Sequence, residues 1–98
     1  MVAYKPALPL FIGHRGAKSL APENTLASIR KAADNGATWV EVDARLSADD
    51  TPILLHDEMV NRTTNGAGKI SDLQLTSIKS LDAGTWFDPK FSGEPIPT

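Results

Sequence analysis

Thr38-Trp39-Val40-Glu41-Val42-Asp43-Ala44-Arg45-Leu46 is the stretch whose reading decides the fold. Apolar and polar side chains alternate through most of it, and a period of two is that of a β-strand. Val40, Val42, Ala44 and Leu46 then share one face, and Trp39, Glu41, Asp43 and Arg45 share the other. Before it, Leu8 to Ile12 is a compact apolar run ended by Gly13, and it reads as a buried strand. Between the two, Ala21-Pro22-Glu23-Asn24-Thr25 opens a helix expected over Pro22 to Asn35. Proline suits a first helical turn, an early glutamate suits the positive end of the dipole, and Asn35-Gly36 closes the helix. Leu26, Ile29 and Ala33 recur at helical spacing, with Ala32 beside them. After it, Ala48 to Pro52 is a turn, and Ile53-Leu54-Leu55 is a third short strand. Strand, helix, strand predicts an α/β fold. Further on, Asn61 to Lys69 is polar, Ser71 to Leu81 reads as a short helix, and Trp86, Phe87 and Phe91 lie among Gly and Pro.

Three short pieces carry chemistry. His14-Arg15-Gly16, Glu41-Val42-Asp43 and His56-Asp57 each lie on or just past a strand. Glu41 and Asp43 are two apart, so a strand points both to one side, roughly 6.5–7 Å apart at Cα. Two ionised carboxylates on one face are costly unless something neutralises them. A divalent cation does so, and oxygen ligands favour Mg²⁺ or Ca²⁺ over zinc. Solvent exposure, or pairing of Asp43 with Arg45, would serve equally. A histidine such as His14 can donate or accept a proton, and Arg15 offers a planar fork for a phosphate. A histidine bonded to a loop carbonyl beside a surface arginine is the alternative. Gly16 lets the backbone approach closely. If the turn centres between Asp49 and Asp50 and the chain returns antiparallel, His56 falls opposite Asp43.

Bulk properties narrow the field. The chain has 98 residues, which fits one small domain or part of a larger one. It is 41% hydrophobic and 22% charged, with a formal net charge of -2. No basic run suggests nucleic acid, and no apolar run approaches a membrane span. The apolar run before Gly13 is short and broken by Pro6 and Pro9, so a strand fits it better than a signal peptide. Without cysteine there are no disulfides and no thiolate chemistry, which suits a cytoplasmic protein.

The ordered set His14-Arg15-Gly16, Pro22-Glu23-Asn24-Thr25, Glu41-Val42-Asp43 and His56-Asp57 closely resembles the start of the glycerophosphodiester phosphodiesterases. Arg62-Thr63-Thr64-Asn65-Gly66, Leu81-Asp82-Ala83-Gly84-Thr85-Trp86-Phe87 and Gly93-Glu94-Pro95-Ile96-Pro97-Thr98 resemble the insertion that follows that family's second histidine. The set particularly resembles the bacterial cytoplasmic members. The resemblance implies a TIM-like β/α barrel with its site at the C-terminal strand ends. Residues 1–57 would be the first part of the barrel and residues 58–98 the insertion, the remaining strands being absent from the chain.

By the same resemblance His14 and His56 are the acid/base pair, Arg15 holds the phosphate, and Glu41 and Asp43 bind Mg²⁺ or Ca²⁺. Glu23, Asn24 and Asp57 support them from behind. The implied substrate is a glycerophosphodiester, cleaved to glycerol 3-phosphate and an alcohol. A substrate hydroxyl attacks phosphorus, and water then opens the cyclic phosphate. The family's third metal carboxylate and a substrate-touching lysine lie on a later strand that these residues lack. The isolated chain is therefore expected to be inactive and to self-associate through unpaired sheet edges. A non-catalytic product that binds metal weakly or docks to a partner is the competing reading. Within the enzymes, a phosphoinositide-type phospholipase is the other. Trp86, Phe87 and Phe91 would cap the glycerol pocket or pack the insertion's own core.

Overall fold

A computed structural model describes residues 11–98. The elements run β1 (Ile12–His14), α1 (Leu26–Asp34), β2 (Trp39–Glu41), β3 (Ala44–Leu46), β4 (Pro52–Leu54) and α2 (Leu75–Lys79). Single 3₁₀ turns lie at Ile70–Asp72 and Pro89–Phe91. The expected βαβ unit is present: β1 and β2 pair in parallel, with α1 in the connection between them. The first strand is shifted, since it carries His14 as its last residue; Leu8 to Leu10 lie outside the described residues. It is also not buried. Phe11 is 67% and Ile12 52% exposed, because none of the described residues covers them.

The long strand over Thr38 to Leu46 is in fact two. Val42 and Asp43 interrupt it, and the chain changes partner there. The Asp43 amide donates to Asn24 Oδ1 at 3.1 Å, so a side chain receives the bond that a ladder would otherwise take. β3 then pairs antiparallel with β4 in a separate sheet. Trp39 and Val40 point to opposite faces of β2, yet both are exposed, so neither face is closed.

The hairpin pairs Ala44 with Leu54, Arg45 with Ile53 and Leu46 with Pro52, and the Leu55 amide extends the pairing to the Asp43 carbonyl at 2.9 Å. That is one residue off the expected register, so Leu55 rather than His56 stands opposite Asp43. The turn explains the slip. It is centred on Asp49: Ser47 and Thr51 still pair, and the Asp50 amide closes a tight turn onto the Ser47 carbonyl at 3.1 Å. Asp50 then adopts φ 58°. A tight turn followed by a left-handed residue is the usual three-residue hairpin loop, whereas a centre between two residues would need an even loop.

Helix α1 starts later than its proline suggests. Thr25 is the N-cap, its Oγ1 accepting from the Ser28 amide at 3.2 Å, and Pro22 to Asn24 form the turn before it. Glu23 therefore lies outside the helix. The buried face of α1 is Ser28 and Ala32, not Leu26 and Ala33, and Leu26 is exposed. Small side chains are required there because the strand end runs against the helix. A Cβ at Gly13 would meet Ala32 Cβ at 2.9 Å, and one at Gly16 would overlap Ser28 Oγ. The close approach that Gly16 permits is thus to the helix.

The expected helix over Ser71 to Leu81 is broken at Leu73-Gln74, and only Leu75–Lys79 is α-helical. The hairpin tip pins the break: the Ala48 amide donates to the Leu73 carbonyl at 2.8 Å, and the Leu75 amide donates to Asp49 Oδ1 at 3.1 Å. Asp49 is correspondingly held below the usual carboxylate range, chiefly by its bond from Ser47. The buried core is Ile53, Leu55, Val60, Ile70, Ile78, Ala83 and Ile96, so β4 and the segment after it close one hydrophobic cluster. The chain's end returns to β4, with the Leu54 amide donating to the Pro97 carbonyl at 3.1 Å.

Candidate active site

The β1–β2 register places His14 beside Glu41 at the C-terminal end of two parallel strands. His14 Nε2 lies 3.6 Å from Glu41 Oε1, and both side chains are about half exposed. The next residue, Arg15, takes φ 52°. A left-handed arginine is disfavoured, and its surroundings hold it there. Its carbonyl accepts from the Asn24 amide at 2.9 Å and from Ser28 Oγ at 2.6 Å. This bend turns the guanidinium toward the acidic groups.

Arg15 is the meeting point of three of the four carboxylates predicted for the site. Its backbone amide donates to Glu41 Oε1 at 3.3 Å, its Nη1 donates to Glu23 Oε2 at 3.4 Å, and its Nε lies 3.3 Å from Asp43 Oδ2. The last contact is an ion pair without hydrogen-bond geometry, which leaves Nε a buried donor with no acceptor among the described residues. Such a donor is unusual and marks a place for an oxygen atom to be bound. Asn24 completes the arrangement. Its Nδ2 donates to Asp43 Oδ2 at 3.1 Å while its Oδ1 accepts from the Asp43 amide. Asn24 is itself buried and left-handed, φ 56°. Arg45 does not pair with Asp43; its guanidinium donates twice to the His56 carbonyl, at 2.9 and 2.7 Å. Arg45 thereby fixes the backbone of the second histidine.

His56 follows β4 and shares an open cleft of about 470 Å³ with Asp43, Arg45 and Leu55. Its Nδ1 lies 2.8 Å from Asp57 Oδ1. Bonds from Arg62 and then from His56 hold the Asp57 carboxyl well below its usual range. Arg62 is the residue that sequence reasoning passed over. It forks Asp57, with Nε to Oδ2 at 2.9 Å and Nη2 to Oδ1 at 3.0 Å. It also forks Glu23, with Nη1 to Oε1 at 3.1 Å and Nη2 to Oε2 at 2.9 Å. The aspartate first, and then the glutamate, raise the arginine above its ordinary value. The signal available in the sequence was a lone arginine five residues beyond an aspartate in a polar loop. That pattern is too common to single out.

The aromatics do not belong to the buried core. Trp86, Phe87 and Phe91 stack edge to face in a row, each neighbouring pair 5.8 Å apart. The Trp86 ring lies 6.0 Å from Arg62 Cζ, so the row meets the site through that arginine.

The donor set of Glu41 and Asp43 suits a hard cation. Both are carboxylates, and Asp43 Oδ1 has no partner among the described residues. Two is an incomplete shell, and among the described residues no group of three or more histidine, aspartate or glutamate side chains is placed to hold a metal ion.

Known proteins resemble this chain in sequence and in fold. Residues 14–98 match the Glycerophosphoryl diester phosphodiesterase family. A glycerophosphodiester phosphodiesterase from Caldanaerobacter subterraneus subsp. tengcongensis is 48% identical over 89 residues, covering 91% of this chain and 37% of the relative. A phosphodiesterase structure from Oleispira antarctica, in complex with the product sn-glycerol-3-phosphate, superposes with TM-score 0.91 at 47% identity, covering 93% and 37%. The glycerophosphodiester phosphodiesterase structure from Agrobacterium tumefaciens gives TM-score 0.86 at 45% identity, covering 88% and 37%. The chain thus spans a little over a third of the length of these relatives. It belongs to the glycerophosphodiester phosphodiesterase family, and its strands are those of a partial TIM-like β/α barrel. Among the described residues, no helix is long and apolar enough to cross a membrane.

Proposed function

We propose that the protein carrying this chain hydrolyses glycerophosphodiesters to glycerol 3-phosphate and an alcohol, with a divalent cation. The observation that carries this reading is the meeting of Glu41, Glu23 and Asp43 on Arg15, with His14 in register beside Glu41. Family membership and the product bound by the Oleispira relative support it. Arg15 would bind a phosphoryl oxygen, the buried Nε offering a donor already desolvated. His14 and His56 would exchange the protons. One imidazole takes the proton of the glycerol hydroxyl that attacks phosphorus, and the other gives a proton to the departing alcohol oxygen. Roles then reverse as water opens the cyclic phosphate.

Glu41 and Asp43 would hold Mg²⁺ or Ca²⁺, with further ligands from outside the described residues. When bound, such an ion stabilises negative charge growing on the phosphoryl oxygens. The 98-residue polypeptide alone would be inactive, since two carboxylates hold a hard cation less well than a full oxygen shell. Its uncovered strands would favour self-association.

The test is turnover of glycerophosphocholine by the full-length protein, followed by ³¹P NMR. Metal-dependent release of glycerol 3-phosphate, abolished by chelator and restored by Mg²⁺ or Ca²⁺, is the expected outcome. Release of an inositol phosphate from phosphoinositide, with no action on glycerophosphodiesters, would transfer the chain's chemistry to the phospholipase reading.

A further inference from the structure

Hydrogen bonds and one ion pair link the groups of the site into one continuous chain. His56 meets Asp57, Asp57 meets Arg62, Arg62 meets Glu23, Glu23 meets Arg15, and Arg15 meets Asp43. The middle link is the only one that joins the insertion to the βαβ unit within this chain of contacts. Arg62 and Glu23 are separated by 39 residues. Arg62 donates four hydrogen bonds of 2.9 to 3.1 Å through its three nitrogens, two to each carboxylate. A planar guanidinium can hold two carboxylates at a fixed mutual angle, which a lysine ammonium cannot do. Glu23 at its far side is only 8% exposed, and the centroid of the Trp86 ring lies 6.0 Å from the Arg62 Cζ. The arginine is therefore held chiefly by its two carboxylates.

The consequence reaches both halves of the site. With the fork orienting the Asp57 carboxylate, its Oδ1 is aimed at His56 Nδ1 and can only accept, so the neutral imidazole carries its proton on Nδ1. Nε2 is then the nitrogen left free to act on a proton in the cleft. At the other end, the Glu23 carboxylate takes its orientation from Arg62 and shares Oε2 with Arg15 Nη1.

We propose that Arg62 is the positioning residue of this site, setting the tautomer and orientation of His56 through Asp57 and the pose of Arg15 through Glu23. This deepens the phosphodiesterase reading and rests on it. The insertion is thereby part of the catalytic geometry, and its aromatic row serves to back Arg62.

The experiment uses the full-length protein, with Arg62→Ala and Arg62→Lys. Misplacing reacting groups by about 1 Å lowers rates about 10²-fold, and that loss in kcat is expected for Arg62→Ala. Arg62→Lys should recover less than about tenfold of it, since charge returns without the fork. Millimolar guanidinium ion, well below denaturing concentration, should restore turnover to Arg62→Ala and leave the parent unaffected. ¹⁵N NMR at a pH where His56 is neutral should show the Nδ1–H form in the parent, a mixture in Arg62→Ala, and the Nδ1–H form again with guanidinium. An unchanged His56 tautomer in Arg62→Ala overturns the proposal, whatever turnover does. So does a loss of turnover that tracks a lowered melting temperature and resists guanidinium. If the parent cleaves no glycerophosphodiester, the functional reading fails, while the NMR series still decides the link from Arg62 to His56.

Discussion

The two halves of the described chain are built on opposite principles. Residues 11–46 carry His14, Arg15, Glu41 and Asp43 on short strands whose apolar side chains stay exposed, Phe11, Ile12, Trp39, Val40, Val42 and Leu46 among them. Residues 53–98 carry one acid/base candidate, His56, and almost the whole buried core. What orders the first half is polar: the Asn24–Asp43 pair, the Arg15 carbonyl bonds and the charge chain. What orders the second half is apolar burial under Ile53, Ile70, Ile78 and Ile96. Most of the site's charged groups and most of the apolar core thus sit in different places, so changes to the charged side chains are expected to move function and changes to the core side chains to move folding.

The sharpest way to break that contrast is to remove the proton-transfer groups. In the full-length protein, His14→Ala and His56→Ala should each lower turnover about 10²–10⁴-fold, with little change in melting temperature. Asp43→Asn should lower metal-dependent turnover comparably, and unchanged metal affinity and rate would remove Asp43 from the cation site. Next in size is the core. Ile78→Ala should destabilise by about 2–5 kcal/mol, read from denaturant midpoints, because Ile78 has no exposed surface. In the 98-residue polypeptide Ile12→Ala should stay within about 0.5 kcal/mol, as a surface change does. Equal costs at the two isoleucines would contradict the division.

A smaller effect tests the polar half. Thr25→Ala removes the N-cap of α1 and should cost about 1 kcal/mol, while Thr25→Ser should cost far less. The smallest concerns pH. Asp57 is held below its unfolded value, so its contribution is complete above the ordinary carboxylate range, near pH ~4, and fades as pH falls through the folded value. Asp57→Asn should flatten that acid limb in a titration of melting temperature and leave the neutral plateau parallel to the parent's.

Alternation and end signals in the sequence were sufficient for the βαβ unit, because parallel strands and their crossover helix are written locally. The hairpin register was not, since it turns on the conformation of the single residue Asp50, and a one-residue change in loop centre moves every pair. The strand break at Asp43 was hidden for another reason. It depends on Asn24, which lies 19 residues away, and alternation carries no trace of a distant amide. The helix over Ser71 to Leu81 failed similarly, interrupted by bonds from the hairpin tip. For the site, the side chains His14, Arg15, Glu41 and Asp43 were legible because they cluster at strand ends. Glu23 and Asn24 were legible only as a motif, and Arg62 only as part of the insertion, with no place in the site, since its partners come from both sides of the fold.

The pairing pattern also orders events in time. The β3–β4 hairpin joins neighbours in sequence and can close in about 1–10 μs, and Leu55, Val60 and Ile70 of the core follow it directly along the chain. The β1–β2 pair must wait for a chain closure that encloses all of α1, and such non-local pairings pay loop entropy before they gain contacts. Docking of the first strand, and with it the placement of His14 beside Glu41, is therefore expected to be the late event. A destabilising change such as Gly13→Ala, whose Cβ would meet Ala32, should then leave the folding rate nearly untouched and speed unfolding, the kinetic mark of contacts made after the barrier.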